Sequence, residues 1–241
     1  MELVTREDVR RMSDNGTRGP VVVNKSQTLT PGARDWLAAH KIQAVYPQGR
    51  EEGNVPSPAT YRTLSGATLT EKPEHMTHLK GNILVSKDHP RIAFRGMIDA
   101  LEAEILLTQR AAADYPKLVS ELEEVLSFVR NFIRCDVLDE PLKDIKLCGY
   151  DAGQLREYSH YPDKHLGQPH FLPAYTDGPA LLAVNKVRTL VRQTELSAYA
   201  AFKDVEGNVT REDIILALNR LSSLMWIMMI KLKAGQYEHA E

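Results

Sequence analysis

In the segment VNKVRTLVRQTELSAYA, which begins at Val184, Arg188 and Arg192 are four residues apart and Glu195 comes three later. Spacings of three and four stack side chains on one face of an α-helix, so two guanidinium groups and a carboxylate share a direction. Fixed guanidinium groups grip phosphate or carboxylate oxygens bidentately, which makes this face a candidate anion or nucleotide site. The same spacing also suits a charge ladder on a solvated face, where such ion pairs are common and weak. LNRLSS, from Leu218 to Ser223, sets Asn219 and Arg220 inside an otherwise apolar helix, where a buried amide requires hydrogen-bond partners. VSKDHPRIAFRGMID gathers Lys87, Asp88, Arg91, Arg95 and Asp99 where a loop meets a helix. A phosphate can lie there on free backbone amides at the positive helix end, and each charge taken singly is also an ordinary surface residue.

These residues need a helical frame, and the chain supplies one after Pro90. RIAFRGMIDALEAEILLTQRAAA predicts a helix from about 91 to 112, and Leu118, Leu122, Val125, Val129 and Phe132 recur at helical spacing in a second. Pro141 interrupts the pattern, and a shorter helix is predicted around 151 to 160. HYPDKHLGQPHFLPAYTDGP is a Pro- and Gly-punctuated connection long enough to suggest a functional role. A fourth helix is predicted over 179 to 203. The fifth opens at Thr210 as cap, with Asp213 three residues on in a capping-box-like arrangement, and runs to about Lys233. Its apolar residues fall nearly all round from Leu221 to Ile230, which implies burial on several sides.

The N-terminal stretch has a different texture. A strand at 21 to 23, a helix capped by Thr30 with Pro31 at its first position, and a strand near 42 to 46 make a small α/β extension over 1–47. Residues 48–74, rich in Pro, Gly, Ser and Thr, read as a linker or mobile loop, and 75–241 as the helical domain. No internal repeat is visible. The 241 residues, 43% of them hydrophobic, can bury a sizeable core.

Thirty basic residues against 32 acidic ones give no general affinity for nucleic acid or an anionic membrane, so any phosphate chemistry must be local. Cys135 and Cys148 lack CxxC spacing, which argues against a disulfide scaffold or a thiolate zinc site and fits a reducing cytoplasm. MELVTREDVRR has no apolar stretch of the kind a secretory signal needs. LSSLMWIMMIK is about half the length of a bilayer span and reads as a buried helix.

KPEHMTHLKGNILVSKDHPRIAFRGMID, RTLVRQTE and ALNRLSSLMWIMM resemble the cobalamin adenosyltransferases of ethanolamine utilisation, relatives of the propanediol-utilisation adenosyltransferases, and LTPGARDWL is similar to the N-terminal extension of the ethanolamine branch. The resemblance implies a mainly α protein, a five-helix bundle with a small N-terminal α/β extension. It implies transfer of the 5′-deoxyadenosyl group of ATP to Co(I) of cobalamin, with Mg²⁺ accompanying the ATP. It also implies a homotrimer, or else a dimer, with active sites between subunits. Arg192 then matches the arginine that binds the polyphosphate, and Glu195 and Asn219 match the nucleotide and magnesium site, with Arg192 and Glu195 as the catalytic pair. Arg188 matches an arginine that pairs with an aspartate, here Asp99, across the subunit boundary, and Lys87 and Asp88 fall on a Lys-Asp pair near the nucleotide. The bulky side chain that packs under the corrin falls in QPHFLPAY, on His170 by position or Phe171 by type. The implied setting is a cytoplasmic enzyme, in or near a bacterial microcompartment, that serves a B12-dependent lyase such as ethanolamine ammonia-lyase with a corrinoid reductase as partner.

The chain departs from the family pattern in two ways. It lacks the TxxGDxGxT phosphate loop of the propanediol branch, for which THLKG, with Thr77 and Lys80, is the candidate replacement. It also lacks the CCxxC motif of some ethanolamine-branch members, so no resident metal held by a protein cluster is expected. His75 and His78, or His160, His165 and His170, read as loop or surface residues rather than ligand sets. Two other readings stand beside this one: a protein that binds and delivers adenosylcobalamin without forming it, suggested by the missing phosphate loop, and a helical adaptor that docks microcompartment components through the N-terminal extension.

Overall fold

The computed structural model describes residues 2–14, 20–24, 27–46 and 60–239, which fall into two units, Met1–Val85 and Ser86–Glu241. In the first unit one order of elements occurs twice: a strand, a threonine, a helix and a second strand. Glu2–Val4 (β1), Arg6–Asp14 (α1) and Val21–Val22 (β2) are followed by Gln27–Leu29 (β3), Pro31–Ala39 (α2) and Ala44–Val45 (β4). β1 pairs with β3 and β2 with β4, both in parallel, setting Val4 opposite Leu29 and Val21 opposite Ala44. Asp8 N donates to Thr5 Oγ1 at 3.4 Å and Ala33 N to Thr30 Oγ1 at 3.3 Å, so a threonine satisfies a first-turn amide in both halves. Val9, Ala33 and Leu37 fill the small core. The repeat escapes a reading of the sequence because the matched helix starts, Arg6-Glu7-Asp8 and Pro31-Gly32-Ala33, share no residue type.

Tyr61–Thr63 (β5), Thr68–Leu69 (β6), Met76–Lys80 (β7) and Ile83–Ser86 (β8) form a four-stranded sheet in the order β6-β5-β8-β7. The 48–74 segment, predicted as a linker, therefore contributes two strands, and its stretch 48–59 lies outside the described residues. Strands of two and three residues are too short to show a period.

The second unit is a helical bundle. Pro90–Ala111 (α3), Pro116–Leu138 (α4), Ala152–His160 (α5), Pro179–Phe202 (α7) and Glu212–Lys233 (α8) are its main helices. The short Pro162–Leu166 (α6) and the hairpin of Lys146–Leu147 (β9) with Tyr150–Asp151 (β10) complete it. Proline opens α3, α4, α6 and α7 at the first helical position, where its missing amide is not needed. α5 begins with a reciprocal capping box between Asp151 and Gln154.

α3 buries Phe94, Ile98, Leu101 and Ile105, and α4 buries Leu118, Leu122, Val125, Val129 and Phe132, each such side chain contributing about 1.5–3 kcal/mol. α7 packs against both α3 and α8. On α8, Ile227, Met228, Met229 and Ile230 are four consecutive residues with no exposure, so the helix is enclosed on all sides there. By length and composition α8 could cross a membrane, and most of its apolar residues are packed inside this unit.

Charge ties three helix ends together at one end of the bundle. Asp136, in the last turn of α4, is fully buried; its Oδ1 accepts from Arg91 Nε at 2.8 Å and its Oδ2 from Arg95 Nε at 2.7 Å, while Arg91 Nη2 donates to its carbonyl at 2.7 Å. Arg211 donates to the carbonyls of Cys135 at 3.3 Å and Glu140 at 2.9 Å. The cluster predicted to cradle a phosphate is therefore used internally, with Arg91 and Arg95 clamping Asp136 and His89 Nδ1 capping α3 by accepting the Arg91 amide at 3.2 Å.

α8 starts at Glu212, and Thr210 does not cap it. The Thr210 hydroxyl donates to Phe202 O at 2.7 Å across the α7–α8 turn, a turn tightened by Asn208 N donating to Asp204 Oδ1 at 2.7 Å. Asp213, predicted as a capping partner, accepts from Leu142 N at 2.7 Å and Arg211 Nη2 at 2.8 Å.

Asp136→Ala removes the buried carboxylate that two guanidinium groups share and is expected to lower the unfolding free energy by about 3 kcal/mol in urea titrations. Burial raises the Asp213 carboxyl, but the bonds from Arg211 and the Leu142 amide outweigh it and hold it below the usual carboxylate range. Such a group adds stability that is fully present above its unfolded value of about 4 and is lost as pH falls through the lower native value. Asp213→Asn is expected to be less stable than the parent at pH 7 and to converge with it at acidic pH, as measured by urea titrations at both.

Candidate active site

α7 buries Val184, Val187, Val191, Thr194 and Ala198 against the core, and the charged residues flank this stripe. Arg188 is half-buried; its Nε and Nη2 donate to Asn185 Oδ1 at 3.2 and 3.1 Å, and its guanidinium lies 5.4 Å from the Trp226 ring centroid. Burial, with the neighbouring Arg192 charge, lowers the Arg188 pKa, the signature of a cation held where an anion would be welcome. Arg192, one turn on, is exposed, and Glu195 is half-buried and accepts from Asn219 Nδ2 at 3.1 Å.

On α8, Asn219, Ser222, Ser223 and Trp226 stand at offsets of zero, three, four and seven and interrupt an otherwise apolar surface. This stripe faces Arg188 and Arg192 across a cleft of about 400 Å³. Asn219 is exposed on the cleft wall, not buried as its place in an apolar helix suggested. A second hollow of about 460 Å³, with Glu212, Ile215 and Leu216 in its wall, lies on the other side of Glu195 and Asn219.

The third wall comes from the loop between α6 and α7. Phe171 stacks on Trp226 with centroids 5.2 Å apart and planes 19° from parallel. His170 also stacks on Trp226; its Nδ1 accepts from Trp226 Nε1 at 3.1 Å and its Nε2 donates to His160 O at 3.2 Å. The indole N–H only donates and the carbonyl only accepts, which assigns the neutral Nε2–H tautomer and occupies both ring nitrogens. Leu172, next in sequence, is 92% exposed at the cleft. The loop is fastened where Lys233 at the end of α8 bonds Asp177, whose other oxygen accepts from Ala174 N at 2.6 Å. The Ala174 amide, and after it Lys233, hold the Asp177 carboxyl below its usual range.

The remaining predicted residues are on other elements, and of these His160, at the end of α5, also lines the cleft. Lys87 and Asp88 are exposed just ahead of α3, where Asp88 accepts from Ser86 Oγ, and Asp99 is exposed on α3. Thr77 and Lys80 are on β7 of the first unit, Lys80 exposed. His165 Nε2 lies 2.9 Å from Glu157 Oε1 and stacks on Tyr158, and His160 Nδ1 lies 2.7 Å from Arg156 O. Among the described residues no three His, Cys, Asp or Glu side chains gather to hold a metal. Burial pushes the Cys148 thiol far up, and Cys135 is buried, so both are packed thiols.

Trp226 and Leu172 were missed in the sequence. The signal for Trp226 was available, since it stands two helical turns after Asn219 on the same face; Leu172 has no such signal, because its role depends on a loop conformation.

The family model for cobalamin adenosyltransferase matches residues 67–232. The corrinoid adenosyltransferases EutT of Salmonella typhimurium strain LT2 and of Escherichia coli strain K12 are each 32% identical to this chain, over 84% of it and 81% of their own length. Two variants of a PduO-type ATP:corrinoid adenosyltransferase from Lactobacillus reuteri, one complexed with cobalamin and ATP and one with ATP, align at 17% and 18% identity. Their TM-scores are 0.45 and 0.49, with 75% and 69% of this chain and 92% and 94% of theirs covered. The family match spans more than half of the chain and takes in α7, α8 and the loop between α6 and α7: the chain belongs to the cobalamin adenosyltransferase family.

Proposed function

We propose that this chain is an ATP:corrinoid adenosyltransferase that forms adenosylcobalamin for a B12-dependent lyase such as ethanolamine ammonia-lyase. In the reaction Co(I) of the bound corrinoid attacks the ribose C5′ of ATP. A cobalt–carbon bond forms, the C5′–O bond breaks, and its electron pair leaves with the triphosphate. The observation that carries this reading is the cleft in which Arg188 and Arg192 oppose an apolar wall of Phe171, Leu172 and Trp226.

Each wall suits one substrate. Arg192 binds the polyphosphate and stabilises the charge that builds on it as the bond breaks. Glu195, steadied by Asn219, orients the nucleotide. A magnesium ion carried by the triphosphate takes oxygen ligands, and Glu195 is the carboxylate of this group suited to supply one; the ion when bound neutralises phosphate charge. Lys87 and Asp88 are assigned to the nucleotide on family motif, and Lys80, with Thr77, as the replacement for the missing phosphate loop. Phe171 and Leu172 pack against the corrinoid. His170, with both nitrogens engaged, orients the Trp226 ring instead of ligating cobalt. Asp99 pairs with Arg188 of a neighbouring copy in a homotrimer. The enzyme works in the cytoplasm, in association with a microcompartment and a corrinoid reductase.

Purified protein mixed anaerobically with cob(I)alamin and MgATP is expected to yield the absorbance of an alkylcobalamin, and its absence would overturn the assignment. Arg192→Ala is expected to lower kcat/KM by about 100- to 1000-fold while leaving the melting temperature unchanged, because the side chain is exposed. Asp99→Ala is expected to shift the sedimentation profile toward smaller species; an unchanged profile would refute the pairing across subunits.

A further inference from the structure

Arg220 is a charged residue of α8 that this mechanism leaves unused. It is 8% exposed, between Leu218 and Leu221, which are fully buried. Among the described residues no carboxylate lies within salt-bridge range of it, whereas Arg91, Arg95, Arg211 and Lys231 all have such partners. A buried guanidinium without a direct ion pair is costly: burial, and after it the Arg156 charge, lowers its pKa against the attraction of the more distant Glu195 carboxylate. Leucine at this position would fill an apolar helix without that cost.

What Arg220 does have is an amide. Its Nη1 donates to Asn219 Oδ1 at 2.8 Å, and Asn219 Nδ2 donates to Glu195 Oε1 at 3.1 Å. A guanidinium cannot accept and a carboxylate cannot donate, so the Asn219 amide has one satisfactory orientation, oxygen toward Arg220 and nitrogen toward Glu195. Without Arg220 the amide is free to flip or rotate. The positive charge also polarises the amide, and in a partly dry site two bonds running in the same sense strengthen each other.

We propose that Arg220 is a positioning residue that acts through the Asn219 amide to hold Glu195 Oε1, leaving Glu195 Oε2 to the nucleotide and its cation. The proposal rests on the reading of Glu195 and Asn219 as nucleotide contacts. It differs from a packing role because its effect must pass through one neighbour.

A double-mutant cycle separates the two. Arg220→Met is expected to raise the KM for MgATP about tenfold with kcat within about threefold of the parent, and Asn219→Ala to raise it by a similar factor. In the Asn219→Ala background, Arg220→Met is expected to add nothing further. Arg220→Lys keeps the charge on a single donor nitrogen without the fork, and is expected to raise KM about threefold alone and not at all in that background. Should Arg220→Met fail to fold, the lysine variant carries the same cycle. Full multiplication of the two effects, or an unchanged KM for either Arg220 variant, would overturn the relay. An unchanged KM for Asn219→Ala would count instead against the nucleotide reading of the site and remove the ground on which the relay stands.

Discussion

α8 satisfies two opposed demands, and the site depends on how it divides them. Packing on every side requires an apolar helix, and from Ile227 to Ile230 no residue is exposed. A cleft wall requires polar groups at fixed positions, and these occur one or two turns earlier on a single stripe from Asn219 to Trp226. Because a helix presents residues i, i+3, i+4 and i+7 together, a few substitutions in an oily sequence open one polar face without weakening the others. The rigid helix then sets the distances to α7.

The charges of this unit have two kinds of surroundings. Arg91, Arg95 and Arg211 are matched to carboxylates and carbonyls at the bundle end, where they fasten helices. Arg188 rests on an amide and an aromatic face, and Arg192 is open to the cleft. Carboxylate-paired arginines have their donors committed; arginines held by an amide or an indole keep donors for an incoming anion. The difference in partners separates the cations that fasten helices from those at the cleft more sharply than exposure does.

Much of this was legible in the sequence, and the reason is local. The five main helices come from apolar spacing and from prolines at helix starts, and α3, α5 and α7 lie within a residue or so of their predicted bounds. Arg188, Arg192 and Glu195 on one face come from the same arithmetic. The failures were non-local. Arg91 and Arg95 look like phosphate donors until Asp136, more than forty residues away, turns out to face them. Thr210 looks like a cap until the α7–α8 turn brings Phe202 O within its reach. β5 and β6 are too short to carry a period, and the doubled strand–helix–strand order is a likeness of backbone and not of residue type.

Trp226 lies at the meeting point of Arg188, His170 and Phe171, and the chain has one other tryptophan, Trp36, in the first unit. A cation over its face, an imidazole on its ring nitrogen and a phenyl ring alongside are all able to alter indole emission. With Trp36 replaced by phenylalanine, the tryptophan emission of the protein, excited beyond the absorption of its nine tyrosines, would come from the cleft alone, so that a ligand arriving there could be followed in real time without a label.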